Sequence, residues 1–257
     1  MTPEFSRRKP PVTIMAHRGG SLEVPENTWT AVEHTANLGL QWMETDAHVT
    51  KDGVCVLSHD PSFARTSPSH HPELIHRMTW DEVSRIDAGD GNAPVRLDDV
   101  LVSYPDLHFN VDLKNSQVPQ PALQAVRHAH ALDRVRFSSF SARRLAVFRR
   151  QEPRAVTSVG VADVIDLKLR AEAGVSLPHT RFSWYVGLVD SVQVPEVEHG
   201  IRVVTDRFIA TAHRCGMEVH VWTVNEAETM LRLRDAGVDG IITDAPSLAL
   251  ITLGEHR

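Results

Sequence analysis

The sequence has 257 residues, of which 42% are hydrophobic and 23% charged, and its formal net charge is -6. A chain of about 250 residues is usual for a single α/β barrel, and this composition is ordinary for a globular enzyme. The negative charge argues against nucleic-acid binding, which depends on clustered lysine and arginine. Two cysteines, Cys55 and Cys215, give no disulfide framework and are expected to be free thiols.

Hydropathy gives no sign of a membrane segment. No run approaches the roughly 18 apolar residues of a membrane span. The short basic start, MTPEFSRRKPPV, is not followed by an apolar stretch. We therefore expect a cytoplasmic protein without a stable membrane anchor.

Short β-branched runs alternate with helical stretches along the whole chain. Eight strands with intervening helices favour a closed parallel barrel, the α/β fold known as the TIM (β/α)8 barrel. In chain order the predicted strands are Val12–Ala16, Gln41–Ala47, Leu107–Leu113, Arg134–Ser138, Ala155–Gly160, Leu188–Val194, Met217–Thr223 and Gly240–Thr243.

Boundary signals accompany several of the predicted helices. Asn27 is expected to cap a helix over 28–38, and Gly39 to end it. Asn225 is expected to cap a second helix, over 226–236, in the same way. Pro246 suits the first turn of a final helix.

The alternation breaks between the second and third strands, where prolines and a His-His pair leave room only for short helices. This pattern predicts a small insertion over residues 61–99, at one mouth of the barrel. The rest of the chain shows no repeat or low-complexity tract. We expect one domain over 12–257, which includes this insertion, and an N-terminal tail over 1–11.

Chemically capable side chains cluster at the ends of the predicted strands. Catalytic groups of such barrels gather at the carboxyl ends of the strands. Polar or aromatic residues at or just beyond these ends are His17, Arg18, Glu44, Asp46, His59, Asp112, Lys114 and Trp222.

Spacing along two strands indicates a metal site. Side chains alternate across a strand, so Glu44 and Asp46 share one face, as do Asp112 and Lys114. Three carboxylates that converge in a pocket repel one another, and a hard divalent cation would relieve that repulsion. Oxygen ligands of this kind favour Mg²⁺ or Ca²⁺ over Zn²⁺. Taken alone, Glu44 and Asp46 could instead form structural salt bridges at the end of the barrel.

The remaining strand-end residues supply what phosphodiester cleavage needs. His17 and His59 can act as general acid and base, because imidazole titrates near neutral pH. Arg18 and Lys114 can offset charge on a phosphate. Trp222 could equally belong to the core.

Several motifs follow one another in a defined order. His-Arg-Gly, Pro-Glu-Asn-Thr, Glu-x-Asp, Thr-x-Asp-Gly and His-Asp occur between Ala16 and Asp60. NVDLK follows in the middle of the chain, and VHVWTVNEAETMLRLRDAGVDGIITDAP comes near its end. From about Ile14 to Leu253 the sequence resembles the glycerophosphodiester phosphodiesterase family, most specifically in its two end blocks.

The resemblance implies a function and a set of roles. The activity would be metal-dependent hydrolysis of a small glycerophosphodiester to an alcohol, such as choline or ethanolamine, and glycerol 3-phosphate. The implied metal ligands are Glu44, Asp46 and Asp112, and the implied acid/base pair is His17 and His59. Arg18 and Lys114 would contact the phosphate. Apart from the resemblance, Trp222 ends a strand, and its aromatic face is expected to bind the substrate.

The sequence departs from the family pattern in three places. Asp112 stands where the family most often has glutamate, and Arg96 where it often has threonine. The histidine-rich stretch 67–76 matches no strong motif.

Two alternative functions remain open. A lysophospholipase D-like enzyme would need an apolar wall, which Trp184-Tyr185 and residues 186–189 could supply. A barrel that binds phosphodiesters without hydrolysing them is the other, although His17, His59 and all three candidate ligands are present.

Overall fold

Eight parallel strands close into a barrel in the computed structural model, which describes residues 11–175 and 188–254. Strand β1 pairs with both β2 and β11, so the sheet has no free edge at that point. This confirms the predicted (β/α)8 barrel, and each predicted strand is found within a few residues of its expected bounds. The barrel strands are β1 (Thr13–His17), β2 (Trp42–Val49), β4 (His108–Leu113), β5 (Val135–Ser138), β6 (Val156–Ser158), β7 (Leu188–Pro195), β10 (Glu218–Trp222) and β11 (Gly240–Thr243).

Helices follow the strands and cover the outside of the barrel. They are α1 (Trp29–Asn37), α2 (Trp80–Val83), α3 (Leu97–Ser103), α4 (Pro119–His128), α5 (Ala142–Gln151), α6 (Val161–Ala173), α7 (Asp206–Arg214), α8 (Ala227–Ala236) and α9 (Pro246–Leu253). Three short strands lie outside the barrel: β3 (Cys55–Leu57), antiparallel to β2, and the pair β8 (Val197–Glu198) and β9 (Ile201–Arg202). No helix in the described parts of the chain is both long and apolar enough to cross a membrane.

The core lies between the strands and the helices, not only inside the barrel. Along β2 and β4 apolar and polar residues alternate, and Met43, Phe109 and Val111 pack in one buried cluster with α4 residues Leu123 and Val126. Burial of each large apolar side chain contributes about 1.5–3 kcal/mol. The alternate residues of these two strands face the barrel interior, where polar side chains collect.

Polar side chains cross the barrel interior one layer below the strand ends. Gln193 Nε2 on β7 donates to Asn110 Oδ1 on β4 at 2.9 Å, and it lies 3.3 Å from His220 Nδ1 on β10. Asn110 and His220 are fully buried. Strands β4 and β7 are not neighbours in the sheet, so this contact spans the interior and fills it.

The next layer down contains a buried arginine, Arg136 of β5. The Arg136 guanidinium donates to Asp190 on β7 at 2.6–3.0 Å and to Glu218 on β10 at 3.2 Å. It also stacks 4.7 Å from the ring centroid of Trp42. Two carboxylates and an aromatic face thus compensate the desolvation of this charge.

The predicted insertion has an apolar cluster of its own. Phe63, Ile75, Val83 and Ile86 pack together with neighbouring residues of this segment and with Val56 of β3. Helix α2 begins at a capping box, in which Thr79 and Glu82 exchange hydrogen bonds. Helix α3, which starts at Leu97, joins the main core instead. The domain bounds 12–257 and 61–99 stay predictions.

Two predicted helix caps were wrong. Helix α1 is capped by Thr28, whose side chain accepts from the Ala31 amide, and not by Asn27. Helix α8 has Glu226 at its cap position, while Asn225 accepts from the Asp244 amide. Tertiary contacts compete with local capping for such side chains, and here both asparagines serve the loops at the strand ends.

The glycine of the His-Arg-Gly motif is required by close packing. Gly19 has a φ of 86°, and a Cβ there would lie 2.4 Å from Ala31 Cβ and 2.7 Å from the Ala31 carbonyl oxygen. We expect Gly19→Ala to lower the free energy of unfolding by about 2 kcal/mol or more, because backbone strain and overlap add. In a domain of this size that corresponds to a fall in Tm of about 5 °C or more.

Gly39→Ala is the matched control for this prediction. Gly39 also has a positive φ, 71°, but a Cβ at this position would have no atom within 4 Å. It should therefore lose only the strain contribution, about 1 kcal/mol. Equal losses in thermal unfolding would show that the contact with Ala31 has no effect.

Candidate active site

The predicted site residues meet where β1, β2 and β4 end. In the sheet register His17 lies opposite Glu44, and Asp46 lies opposite Asp112. These four side chains point into the barrel mouth from three adjacent strands, as the two-residue spacing predicted. Glu44, Asp46 and Asp112 are all buried.

The loop after β1 brings Arg18 to the carboxylates. Arg18 has a φ of 53°, which is uncommon for a residue with a side chain. Its amide donates to Glu44 Oε2 at 3.3 Å, and its Nε lies 3.3 Å from Asp46 Oδ2, at ion-pair distance but without hydrogen-bond geometry. Its Nη1 donates to Glu26 at 3.2 Å. This loop conformation thus directs both the amide and the side chain of Arg18 at the site.

Asn27 of the Pro-Glu-Asn-Thr motif holds one carboxylate. Its Nδ2 donates to Asp46 Oδ2 at 3.1 Å, and its Oδ1 accepts from the Thr45 hydroxyl at 2.7 Å. Asn27 has a φ of 56°, and its amide donates to the Arg18 carbonyl. The asparagine therefore links the β1 loop to β2 and fixes the orientation of Asp46.

The Lys114 ammonium lies between two of the carboxylates. Its Nζ is 2.6 Å from Asp46 Oδ1 and 2.9 Å from Asp112 Oδ2. Burial opposes the charge of Lys114, but Asp46 and then Asp112 outweigh it and raise its pKa. Burial likewise opposes the charge of Asp46, but Lys114 and Arg18 outweigh it, and the pKa of Asp46 is lowered.

The other two carboxylates are less well compensated. Burial, and then the charge of Asp46, raise the pKa of Glu44 to about 7. Burial also raises the pKa of Asp112, although Lys114 opposes this shift. Among the described residues, the buried Oδ1 of Asp112 has no hydrogen-bond partner. The cluster therefore carries more negative charge than its own cations stabilise.

This donor set fits a hard divalent cation. Three carboxylates with a partnerless buried oxygen offer the oxygen ligands that Mg²⁺ and Ca²⁺ prefer. Across 11–175 and 188–254, no three His, Cys, Asp or Glu side chains are already grouped at metal-binding spacing. Lys114 Nζ lies between Asp46 and Asp112.

His17 is oriented by an acidic residue from the far end of the chain. Its Nδ1 lies 2.6 Å from Asp244 Oδ1, and its Nε2 lies 3.7 Å from Glu44 Oε2. Burial alone would lower the pKa of His17, but Glu44 and then Asp244 outweigh it, so the pKa is raised. Asp244 also accepts from Asn225 at 2.8 Å and from Ser21. With Nδ1 engaged, Nε2 is the nitrogen that faces the carboxylates.

His59 lies at the edge of the cluster. Its side chain is 35% exposed, and its Nδ1 lies 2.8 Å from Asp60 Oδ1. No hydrogen bond or ion pair joins this imidazole to the carboxylates in the described structure, but its charge adds to those of Lys114 and Arg18 in lowering the pKa of Asp46. The structure therefore brings His59 near the cluster without direct contact.

Trp222 ends β10 on another side of the barrel mouth. Its ring meets Phe140, which is 59% exposed, edge to face at a centroid distance of 5.8 Å. Within the described residues, Trp222 therefore packs against Phe140 and is not part of the carboxylate cluster. Of the apolar wall proposed from residues 184–189, the part over 184–187, with Trp184 and Tyr185, lies outside the described residues, and Leu188 and Val189 begin β7.

Sequence reasoning assigned no site role to the residues that orient the predicted ones. These are Glu26, Asp60, Arg65 and Asp244, together with Asn27 and Asn225, for which the sequence predicts only a capping role. A usable signal was present for Asp244, because it directly follows the last barrel strand. Glu26 and Asp60 lie within the Pro-Glu-Asn-Thr and His-Asp motifs.

Comparison with known proteins gives a consistent result. The glycerophosphoryl diester phosphodiesterase family matches residues 17–248. A Mycobacterium tuberculosis protein named "Probable glycerophosphodiester phosphodiesterase 2" is 33% identical, over 94% of this chain and 91% of that protein. A glycerophosphodiester phosphodiesterase of Caldanaerobacter subterraneus is 29% identical, over 91% of this chain and 94% of that one.

Solved structures agree on the fold. The structure of an Oleispira antarctica phosphodiesterase, in complex with the product sn-glycerol-3-phosphate, aligns with a TM-score of 0.77 over 95% of this chain and 98% of that one. At 19% identity this likeness supports the fold alone. The family match spans nearly all of the barrel and includes every strand end that contributes to the site, so the chain belongs to the glycerophosphoryl diester phosphodiesterase family.

Proposed function

We propose that this chain hydrolyses small glycerophosphodiesters to an alcohol and glycerol 3-phosphate, with His17 and His59 as the acid/base pair. The reaction class follows from the family, whose members are phosphoric diester hydrolases and generally metal-dependent. The assignment of roles rests on one contiguous cluster of side chains. It joins an oriented imidazole, two cations and three buried carboxylates at the barrel mouth.

Cleavage of a phosphodiester needs two proton transfers. The attacking hydroxyl must lose a proton, and the departing alkoxide must gain one. In both histidines Nδ1 is held by a carboxylate, Asp244 or Asp60, which leaves Nε2 to take or give the proton. The pair comes from β1 and from the segment after β3, so the two imidazoles can serve opposite sides of a phosphate.

Arg18 and Lys114 are proposed to hold the phosphate. Their guanidinium and ammonium groups are already oriented by Glu26, Asp46 and Asp112, so little side-chain entropy is lost on binding. A preorganised cation near phosphorus stabilises negative charge that develops in the transition state.

Glu44, Asp46 and Asp112 are proposed to ligate a divalent cation, Mg²⁺ or Ca²⁺. A bound cation of this kind would polarise a phosphoryl oxygen and offset the developing charge. The burial of these carboxylates supports this assignment, since burial, and then the charge of Asp46, raise the pKa of Glu44 to about 7.

Trp222 is proposed to contact the alcohol part of the substrate. An aromatic face attracts a quaternary ammonium by about 0.5–2 kcal/mol, which would favour a choline headgroup. Phe140 extends the aromatic surface beside it. The substrate is then the small-molecule partner, and the cytoplasmic location stays a prediction.

A substrate panel tests the proposed function. Purified protein is treated with EDTA, and glycerol 3-phosphate release is measured from glycerophospho-choline, -ethanolamine, -glycerol and -inositol, with Mg²⁺, Mn²⁺ or Ca²⁺ added back. We expect turnover only with added metal. Full activity after exhaustive chelation would remove the metal from the proposal.

Lysophospholipids belong in the same panel. A higher kcat/KM for lysophosphatidylcholine than for glycerophosphocholine would favour a lysophospholipase D. Binding of glycerophosphodiesters with no product under any metal would point to a non-catalytic barrel.

A further inference from the structure

Arg65 bridges two carboxylates at the rim of the site. It belongs to the insertion (residues 61–99). Its Nη1 and Nη2 donate to the two oxygens of Glu26 at 2.8 and 2.6 Å, and its Nε donates to Asp60 Oδ2 at 2.6 Å. One guanidinium thus binds three oxygens of two acidic side chains, a geometry that the planar fork of arginine permits and lysine cannot reproduce.

Each of these carboxylates also holds a residue with a proposed role. Glu26 Oε1 accepts from Arg18 Nη1 at 3.2 Å. The other oxygen of Asp60, Oδ1, lies 2.8 Å from His59 Nδ1. A continuous chain of charged contacts therefore runs from Arg18 to His59, and Arg65 is its central link.

Arg65 itself is fixed by the small core of the insertion. Phe63, two residues earlier, is 3% exposed and packs with Ile75 and Val83. The Ser67 amide donates to the Phe63 carbonyl at 2.8 Å and closes a tight turn around Arg65. The Arg65 side chain is half exposed, but these contacts anchor the backbone on both sides of Arg65.

We propose that Arg65 is a positioning residue that sets His59 and Arg18 relative to each other across the mouth of the site. The two act from different elements, after β3 and after β1. His59 lies at the edge of the carboxylate cluster without a direct contact to it, so its placement depends on Asp60 and, through Asp60, on Arg65. An exposed ion pair with only a structural role would change stability slightly and leave catalysis unchanged.

Steady-state kinetics of Arg65→Gln test this proposal, which rests on the proposed roles of His59 and Arg18. We expect kcat/KM to fall roughly 10- to 100-fold, because a misplacement of about 1 Å can cost that much. The loss should separate into two effects, one through Glu26 and one through Asp60. Glu26→Gln should mainly raise KM, through Arg18, and Asp60→Asn should mainly lower kcat, through His59.

Arg85→Gln is the matched control. Arg85 is in the same insertion and makes a similar pair of bonds with Asp81, at 2.7 and 2.8 Å, but away from the site. Its kcat and KM should equal those of the wild type. If Arg65→Gln matches Arg85→Gln in both constants, the proposal is overturned.

A mutant cycle separates positioning from an independent effect. In the Glu26→Gln/Asp60→Asn background, Arg65→Gln should cost no more than a further factor of about 2, because residues in one network are not additive. A full loss in that background would contradict the proposal. Arg65→Lys should be intermediate, and it replaces the glutamine variant if that protein does not fold. Wild-type kinetics in Arg65→Lys would also overturn the proposal.

A readout without substrate separates this inference from the proposed function. Long-range ¹H–¹⁵N NMR, with His59→Gln as the assignment control, reports which ring nitrogen of His59 carries the proton. We expect Nδ1 protonation in the wild type and a mixture of tautomers in Arg65→Gln. An unchanged tautomer would count against Arg65, whereas a wild type that turns over none of the panel would contradict the proposed function instead.

Discussion

Replacement of His17 by alanine is expected to lower kcat by roughly 10²- to 10⁴-fold, the range for loss of a general acid or base. His17 is the imidazole with the most direct place in the cluster, with Nδ1 on Asp244 and Nε2 3.7 Å from Glu44 Oε2. The alanine variant should stay folded, because the side chain lies at a strand end and not in the apolar core. Stopped assays of glycerol 3-phosphate release, together with circular dichroism, measure both quantities.

His128→Ala provides the control for this experiment. His128 is exposed in the last turn of α4, and its replacement should leave kcat unchanged. Asp244→Asn is the informative companion, since it removes the carboxylate that orients His17 but keeps the imidazole. A smaller loss, of roughly 10- to 100-fold, is typical when the partner of a functional imidazole is replaced. A near-wild-type kcat in His17→Ala would show that the acid/base role is wrongly assigned.

Loss of charge at Asp112 is expected to weaken activation by metal by about 10- to 100-fold or more, since even partners that only orient a ligand have effects of that size. Asp112 is buried, and its Oδ2 lies 2.9 Å from Lys114 Nζ. Its Oδ1 has no hydrogen-bond partner within 11–175 and 188–254. Asp112→Asn and Asp112→Ala should therefore both lose most activity. Titration of activity against free Mg²⁺ gives the midpoint for each variant.

Asp112→Glu tests the departure from the family pattern. Glutamate restores the residue that is usual there and keeps the charge, so a measurable share of activity should remain. Asp106→Asn, an exposed aspartate just before β4, serves as the control and should titrate like the wild type. If Asp112 were only an ion-pair partner of Lys114, the midpoint of Asp112→Asn would be unshifted, and the residue would be removed from the proposed metal site.

The strands and the inward-facing residues could be predicted because they depend on local rules. Alternation places Glu44 and Asp46 on one face of β2 whatever the rest of the chain does, and pairing in register with β4 adds Asp112 to that face. The same locality explains the wrong prediction for Asn27. Its side chain has a local partner, the first turn of α1, and a distant one, Asp46 on β2, and only the folded barrel decides between them.

The pairing of Asp244 with His17 could not be found in this way, because the two residues are close only in space. Asp244 and His17 are separated by 227 positions in the chain. Closure of the barrel, where β11 pairs with β1, is what brings them together. The link from Arg65 to Glu26 depends in turn on how the insertion folds, and its histidine-rich composition gives no pattern from which that could be inferred.

The polar layer of Asn110, Gln193 and His220 limits the route by which substrate enters and products leave the site. These side chains fill the barrel directly beneath the carboxylates, and the Arg136 layer lies below them. Substrate must then enter, and both fragments must leave, through the same opening. The glycerol phosphate product shares its charged end with the substrate, so with the proposed roles of Arg18 and Lys114 we expect it to compete for the same cations. We therefore expect added glycerol 3-phosphate to inhibit hydrolysis competitively, so that turnover would slow as the product accumulates.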